Sequence, residues 1–248
     1  MNHPRPIARL LAVLAALLTG LVVLVVPTAP AAAADLTRPF SRERVVPGDV
    51  DRDQWSIEHV YEVQIRLRRL GLLAATPNGQ FGPLTEQAVR KFQRQLGIRE
   101  TGRVNARTWQ PLIKRSLRGR GRVPASCLSP GWHVCYDRTF YQASLYRNGN
   151  MINSWLVRGG SYDAQTRTGD FRVQWRSERH RSRLFGGAPM PYSQFFSGGQ
   201  ALHGSRNMMN PMVGHSHGCV NFWVEDARQL WNLTSDRVLN VHVYGGWA

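Results

Sequence analysis

Cysteine is scarce in this chain: Cys127, Cys135 and Cys219 are the only three among 248 residues. No C-x2-C pair occurs, which excludes the usual thiolate-ligated zinc modules. Lysine is scarcer still, with only Lys91 and Lys114, and acidic residues are half as many as basic ones, 16 against 32. The excess positive charge is therefore carried by arginines, and these are scattered rather than gathered in blocks. That distribution argues against a nucleic-acid stripe. It suits either a solubilising surface or contact with anionic cell-wall polymers or lipid headgroups. Long apolar runs are missing everywhere except Leu10 to Val26, 17 residues.

That run follows Arg5 and Arg9 and precedes the small residues Ala29 to Ala34. A basic start, an apolar stretch and an A-x-A-like site describe a cleavable export signal, with cutting expected after Ala34. The run is long for a signal and at the short limit for a membrane span, so a retained N-terminal anchor stays open. Either way, residues from Asp35 onward are expected outside the cytoplasm. They hold 30 basic and 16 acidic residues, a balance of +14. An odd cysteine count in that compartment suggests one disulfide and one free, reactive thiol. Cys127 and Cys135 flank the turn-forming Pro130-Gly131, and a bridge between them would contribute about 2–3 kcal/mol by the chain-entropy model. The alternative is three reduced thiols, since geometry decides whether the first two can meet.

Residues 35–54 are polar, with Pro39, Pro47 and Gly48, and read as a linker. Helical periodicity begins at Ser56: Val60, Val63, Leu67 and Leu70 recur on one face and Gly71 stops them. Thr85 is placed as the cap of a second helix carrying Ala88, Val89, Phe92 and Leu96, and Asn105 as the cap of a third carrying Trp109, Leu112 and Ile113. Residues 55–115 thus form a small three-helix bundle, with Phe81, Phe92 and Trp109 in its core. A Gly/Arg/Pro linker spans 116–126. Residues 127–248 read mostly as strands. Tyr141–Arg147 and Asn150–Val157 flank the hairpin signal Asn148-Gly149, Phe171–Arg176 forms another strand, and Val238–Tyr244 alternates. One helix is expected at Glu225–Leu233. The fold class is α+β.

The most informative segment is LHGSRNMMNPMVGHSHGCVNF, residues 202–222. Cys219 follows Gly218 in a Ser-His-Gly-Cys tetrad, and His203 stands upstream in a His-Gly-Ser step. A thiol becomes an effective nucleophile as thiolate, and an imidazole is the usual proton acceptor. Gly218 has no side chain, which leaves room for a substrate carbonyl to approach. His215, His217 and Cys219 alternate, so with His203 they could instead form a zinc site. His133, His180 and His242 have no evident partners.

Two resemblances follow from these residues. VYEVQIRLRRLGLL, NGQFGPLTEQAVRKFQRQLGI and TGRVNARTWQPL resemble, in order, a helical peptidoglycan-binding module, although Asn78-Gly79-Gln80 replaces the usual Asp-Gly before Phe-Gly. The Ser216-His217-Gly218-Cys219-Val220-Asn221 run, with His203-Gly204-Ser205, TRTGDF and MPYSQFF, resembles the L,D-transpeptidase catalytic domain (YkuD-like). The 12-residue gap between His203 and Ser216 is a little shorter than usual, and Arg167 stands where proline is common.

The resemblance implies a β-sandwich with the cysteine at a strand end, and a site needing no metal or organic cofactor. It implies Cys219 as nucleophile, His203 as general base and the Gly204 carbonyl as orienter of the imidazole, helped by Ser205. It implies an oxyanion hole from backbone N–H groups of Gly218 and Cys219, with His217, and a substrate cleft lined by Asn221, Ser216 and Tyr192. The implied reaction is cleavage of the L,D bond of a peptidoglycan tetrapeptide stem, then transfer of the acyl group to an amine of a neighbouring stem. Water as acceptor would make a carboxypeptidase. A catalytically silent peptidoglycan-binding protein is the alternative from another class.

Overall fold

The computed structural model describes residues 35–53, 55 and 57–247; the expected signal or anchor, residues 1–34, lies outside them. Among the described residues no helix is long and apolar enough to cross a membrane.

Three helices come first: α1 (Val60–Arg69), α2 (Pro83–Gln95) and α3 (Ala106–Arg115). Their apolar faces meet as the 3.6-residue period requires, and Val63, Leu67, Phe92, Trp109 and Leu112 are buried together with Phe81. Helix α1 begins at Val60, and its first N–H groups are held from a distance. The Asp51 carboxylate accepts from the N–H groups of Val60 (3.2 Å) and Tyr61 (2.7 Å). Thr85 does not cap α2. Pro83 sits at the first helical position after Gly82, and the Thr85 hydroxyl accepts from Gln64 inside the bundle. Asn105 does cap α3, its side chain accepting from Arg107 N–H at 3.1 Å.

The stretch 35–53 is not a free linker. Phe40 and Val45 are buried in the bundle core, and Val45 exchanges two backbone bonds with Val104 (2.9 and 2.8 Å). Arg42 and Asp51 of the same stretch are buried as well. The second expected connector is also tied down. Ser116 is buried, and Arg118 donates to the Arg69 carbonyl at 2.8 Å.

Two sheets follow. The first runs in the order β3 (Asn150–Leu156), β2 (Gln142–Arg147), β1 (Trp132–Asp137), β9 (Leu239–Tyr244) and β4 (Gly169–Arg172). The second runs β5 (Trp175–Arg181), β6 (Pro189–Ser197), β7 (Gln200–Gly204) and β8 (Val220–Phe222). Val134, Leu145, Trp155, Phe196, Phe222 and Val241 fill the space between them. Asn148 and Gly149 both take positive φ (49° and 76°) at the β2–β3 turn, the conformation that favours Asn-Gly there. The expected single strand at Phe171–Arg176 is in fact two. Val173 N–H bonds to Leu239 O and Gln174 N–H to Phe195 O, so the chain changes sheets between them. Helix α4 (Val224–Thr234) leaves β8 at once and packs on β6 and β7. Cys127 and Cys135 are joined by a disulfide, with Cα atoms 6.1 Å apart.

Buried charge joins the helical part to the sheets. Arg66 is wholly buried on α1; it donates to Glu62 (2.8 Å), to Ser116 Oγ (3.1 Å) and to the Ser154 carbonyl of β3 (2.9 Å). Arg42 donates to Glu62 (3.0 Å) and to Gln229 of α4 (2.8 Å), and its Nε lies 3.3 Å from Asp226 of α4. Burial alone would raise the Glu62 carboxyl, but Arg42 and Arg66 bring it down to about 2. His59 completes the group. Its Nδ1 is 2.5 Å from Glu43, its Nε2 is 3.4 Å from Asp226, and Trp109 and Trp223 meet its ring edge to face.

Candidate active site

Strands β7 and β8 are parallel neighbours in the register Leu202↔Val220 and His203↔Asn221. His203 and Asn221 therefore share a face, and Cys219, two residues before Asn221, sits diagonally from His203 on that face. The loop between the strands thus returns the cysteine beside the histidine despite sixteen positions of separation. Both residues line a pocket of about 620 Å3, together with Arg158, Ser205, His217 and Asn221.

The imidazole of His203 is buried, and its Nδ1 lies 2.7 Å from the Gly204 carbonyl. A carbonyl can only accept, so Nδ1 carries the hydrogen. Burial lowers the His203 pKa to about 4, against a smaller upward pull from the Gly204 bond. The ring is then neutral near pH 7, and Nε2 bears a free lone pair. Burial also pushes the Cys219 thiol up, a bond to the Ala201 backbone offsetting it in part. The resting pair is thiol and neutral imidazole, not an ion pair. The sulfur's hydrogen bond runs to the Gly199 carbonyl at 4.0 Å, and none joins it to His203. Proton transfer therefore requires sulfur and imidazole to come together, an adjustment that substrate binding can supply.

The glycines have structural reasons. A Cβ on Gly204 would lie 3.0 Å from Val224 Cα and 3.4 Å from Ala227 Cβ, so close approach of α4 depends on its absence. Gly218 has φ of +112°, and a Cβ there would come 2.4 Å from Gln200 Nε2. The space beside Gly218 is thus taken by an amide, not kept open for a carbonyl. Gln200 uses that amide to hold the Gln165 carbonyl and accepts from Arg167 N–H.

Several expected roles change. The Ser216 hydroxyl donates to the Cys219 carbonyl and accepts from Gly218 N–H at 3.0 Å. Ser216 thereby braces the turn, and Gly218 N–H is engaged and not free for an oxyanion. Ser205 accepts from Asn207 N–H and does not bond to His203. Tyr192 does not line the Cys219 pocket. It packs toward Trp231 of α4 and lines a separate pocket with Arg179 and Pro191. Asn221 does line the Cys219 pocket, and its Oδ1 is buried without a partner. His217 lies tilted against Phe185 and His215 against Trp247, so the alternating histidines take different neighbours, and neither joins a group of metal-ligating atoms among the described residues. The groups of ligating atoms close enough for a metal, among the described residues, centre on His59 at the junction. There its ring already faces Glu43 and Asp226.

Sequence reading missed Arg158. Its guanidinium, buried at the pocket edge, donates to the Val213 and Asn207 carbonyls, both at 2.8 Å. It thereby holds the loop that separates His203 from Ser216. Its one visible sign was an arginine ending the apolar strand SWLV. His180 also lines the pocket, edge-on to the stacked rings of Trp175 and Phe195. His133 and His242 bond to each other at 2.9 Å, and His242 to Asp170.

With this geometry established, similarity to known proteins is specific. Residues 132–243 match the family described as "L,D-transpeptidase catalytic domain". Residues 56–112 match the family described as "Putative peptidoglycan binding domain". An L,D-transpeptidase from Stackebrandtia nassauensis shares the fold at 23% identity, over 82% of this chain and 98% of its own, with a TM-score of 0.52. Another, from Xylanimonas cellulosilytica DSM 15894, is 26% identical over 80% of this chain and 96% of its own, with a TM-score of 0.45. No curated relative matches the chain. By these matches the chain carries an L,D-transpeptidase catalytic domain behind a domain of the peptidoglycan-binding family.

Proposed function

We propose that the chain is an exported cysteine L,D-transpeptidase that cross-links peptidoglycan stems. One observation carries this reading: Cys219 and the unprotonated Nε2 of His203 border the same pocket. Nε2 takes the thiol proton as the sulfur attacks the carbonyl of the L,D bond in a tetrapeptide stem. The carbon–sulfur bond forms and the carbonyl oxygen becomes an oxyanion. The backbone N–H groups of Cys219 and His217 are left for that charge, since Ser216 occupies the N–H of Gly218. Collapse breaks the carbon–nitrogen bond, and D-alanine leaves with the proton held on Nε2. An amine of a second stem then attacks the thioester, gives its proton to Nε2, and releases the sulfur, which is reprotonated. The unpartnered Asn221 Oδ1 suits an N–H of the bound stem. The Cys127–Cys135 bridge supports an oxidising compartment.

Incubation with tetrapeptide wall fragments is expected to add the acyl mass to Cys219, release D-alanine and produce cross-linked dimers. Trimmed stems without dimers would make the chain a carboxypeptidase. Neither adduct nor D-alanine would leave it a binding protein.

A further inference from the structure

A third pocket, of about 520 Å3, lies where the helical part meets the catalytic domain. Arg68 and Arg69 from the end of α1 and Arg118 from the 116–126 segment line it, with Ile65, Met212 and Val213. None of the three arginines has a carboxylate within 4.0 Å among the described residues. Arg69 donates only to neutral acceptors, Gln142 Oε1 and the Phe140 carbonyl. The Arg118 guanidinium donates to the Arg69 carbonyl, and the Arg68 guanidinium has no hydrogen-bond partner among the described residues. Acidic residues collect instead at the opposite end of α1, where Glu43, Asp51, Glu58 and Asp226 surround His59. Three guanidinium groups without a carboxylate partner, lining a pocket with apolar walls, form a receptor for an anion attached to something apolar.

The far wall is informative. Met212 and Val213 belong to the loop between His203 and Ser216, which Arg158 fastens from the catalytic side through the Val213 and Asn207 carbonyls. Met208 of the same loop is buried against Ile57, Ile65 and Trp223. One loop is therefore a wall of both pockets, with Cys219 on one side and the arginines on the other.

We propose that this junction pocket binds the C-terminal carboxylate of a second peptide stem, other than the one acylated on Cys219. Planar guanidinium forks match a carboxylate, and Ile65, Met212 and Val213 match the methyl groups of an alanine-rich peptide better than a polyol phosphate. The description of that peptide as a neighbouring stem rests on the transpeptidase reading; the carboxylate site itself does not.

The test uses the full chain with Arg68→Gln and Arg118→Gln combined, both exposed positions, and checks that the melting temperature is kept. A D-alanine-terminated tetrapeptide is titrated into Cys219→Ala protein with and without the two arginine changes. Two binding events are expected, of which the arginine changes weaken one by about tenfold or more, and amidation of the peptide terminus does the same. In protein with Cys219 intact, the arginine changes are expected to leave the first-turnover burst of D-alanine, one per Cys219, nearly unaltered and to cut dimer yield. A single peptide site, or two sites both indifferent to Arg68 and Arg118, overturns the proposal, as does displacement by poly(glycerol phosphate) where the peptide has no effect. Loss of Cys219 adduct formation with the junction event intact would instead sink the transpeptidase reading alone.

Discussion

His59 and His203 are both buried imidazoles, yet the structure drives them in opposite directions. Burial pulls both toward the neutral form, but at His59 the carboxylates of Glu43 and Asp226 more than reverse this and hold the ring charged. At His203 the hydrogen-bond partner is the Gly204 carbonyl and no carboxylate offsets the burial, so the pKa falls to about 4. Desolvation is common to the two; the partners decide the protonation state. The same sequence letter is a structural cation at the module junction and a neutral imidazole in the pocket.

The sharpest break in this comparison is chemical. Cys219→Ala is expected to abolish D-alanine release and the covalent adduct. His203→Gln keeps the nucleophile but removes the base, and should lower the rate by about 10²–10⁴. Both outcomes are read by product mass spectrometry and by amine release. At the junction the expected effect is on stability. Asp226→Asn leaves His59 and Arg42 short of a buried counter-charge and should cost about 3–5 kcal/mol, measured by urea unfolding of the full chain. Gly204→Ala forces α4 away from β7 and is expected to reduce activity before it reduces the melting temperature, since the imidazole's anchoring carbonyl moves with it.

Smaller, but more diagnostic, is the dependence on pH. The folded pKa of His59 is raised, so its contribution is full below pH 6.5 and is lost as pH rises through the folded value. That of His203 is depressed, so the unfolded chain binds the proton more readily, and stability is withdrawn as pH falls from 6.5 toward about 4. Melting curves across pH should therefore lose their alkaline fall in His59→Gln and part of their acid fall in His203→Gln. The acid limb of kcat/KM should sit near pH 4, not near the ordinary histidine value. A limb near 6.5 would mean that the pocket is wetter than its geometry indicates. The smallest effect is expected at Ser205, where replacement by Ala should change neither rate nor stability by more than about 0.5 kcal/mol.

The parts of the site legible in the sequence were those encoded locally. Cys219 in its tetrad and His203 with its following carbonyl are read within a few residues, and the parallel pairing of β7 with β8 unites them. Local periodicity likewise revealed the three helices, the Asn148-Gly149 hairpin and the α4 position. What escaped reading depends on partners far along the chain. Asp51 caps α1 from nine residues away. Gln200 fills the space at Gly218 from another strand. Arg42 meets Gln229 across 187 positions. The polar look of 35–54 suggested a connector because nothing in its composition announces that Phe40, Arg42 and Val45 each have a fitted place. Ser216 and Ser205 show the converse: their placement was right, but small hydroxyls bond to whichever backbone group is nearest, and no pattern in the chain specifies which.

The docking of residues 35–53 and the anchoring of Arg118 also alter what the helical domain can do for its neighbour. A domain on a slack tether lets its partner sweep a volume, and its benefit is a raised encounter frequency that depends on tether length. A domain fastened through Arg42, Glu62 and Arg66 gives up that sweep and sets a bearing instead. Any strand gripped by the helices would meet the thiol from one direction, at one distance, so the spacing of strands in the wall becomes part of substrate selection.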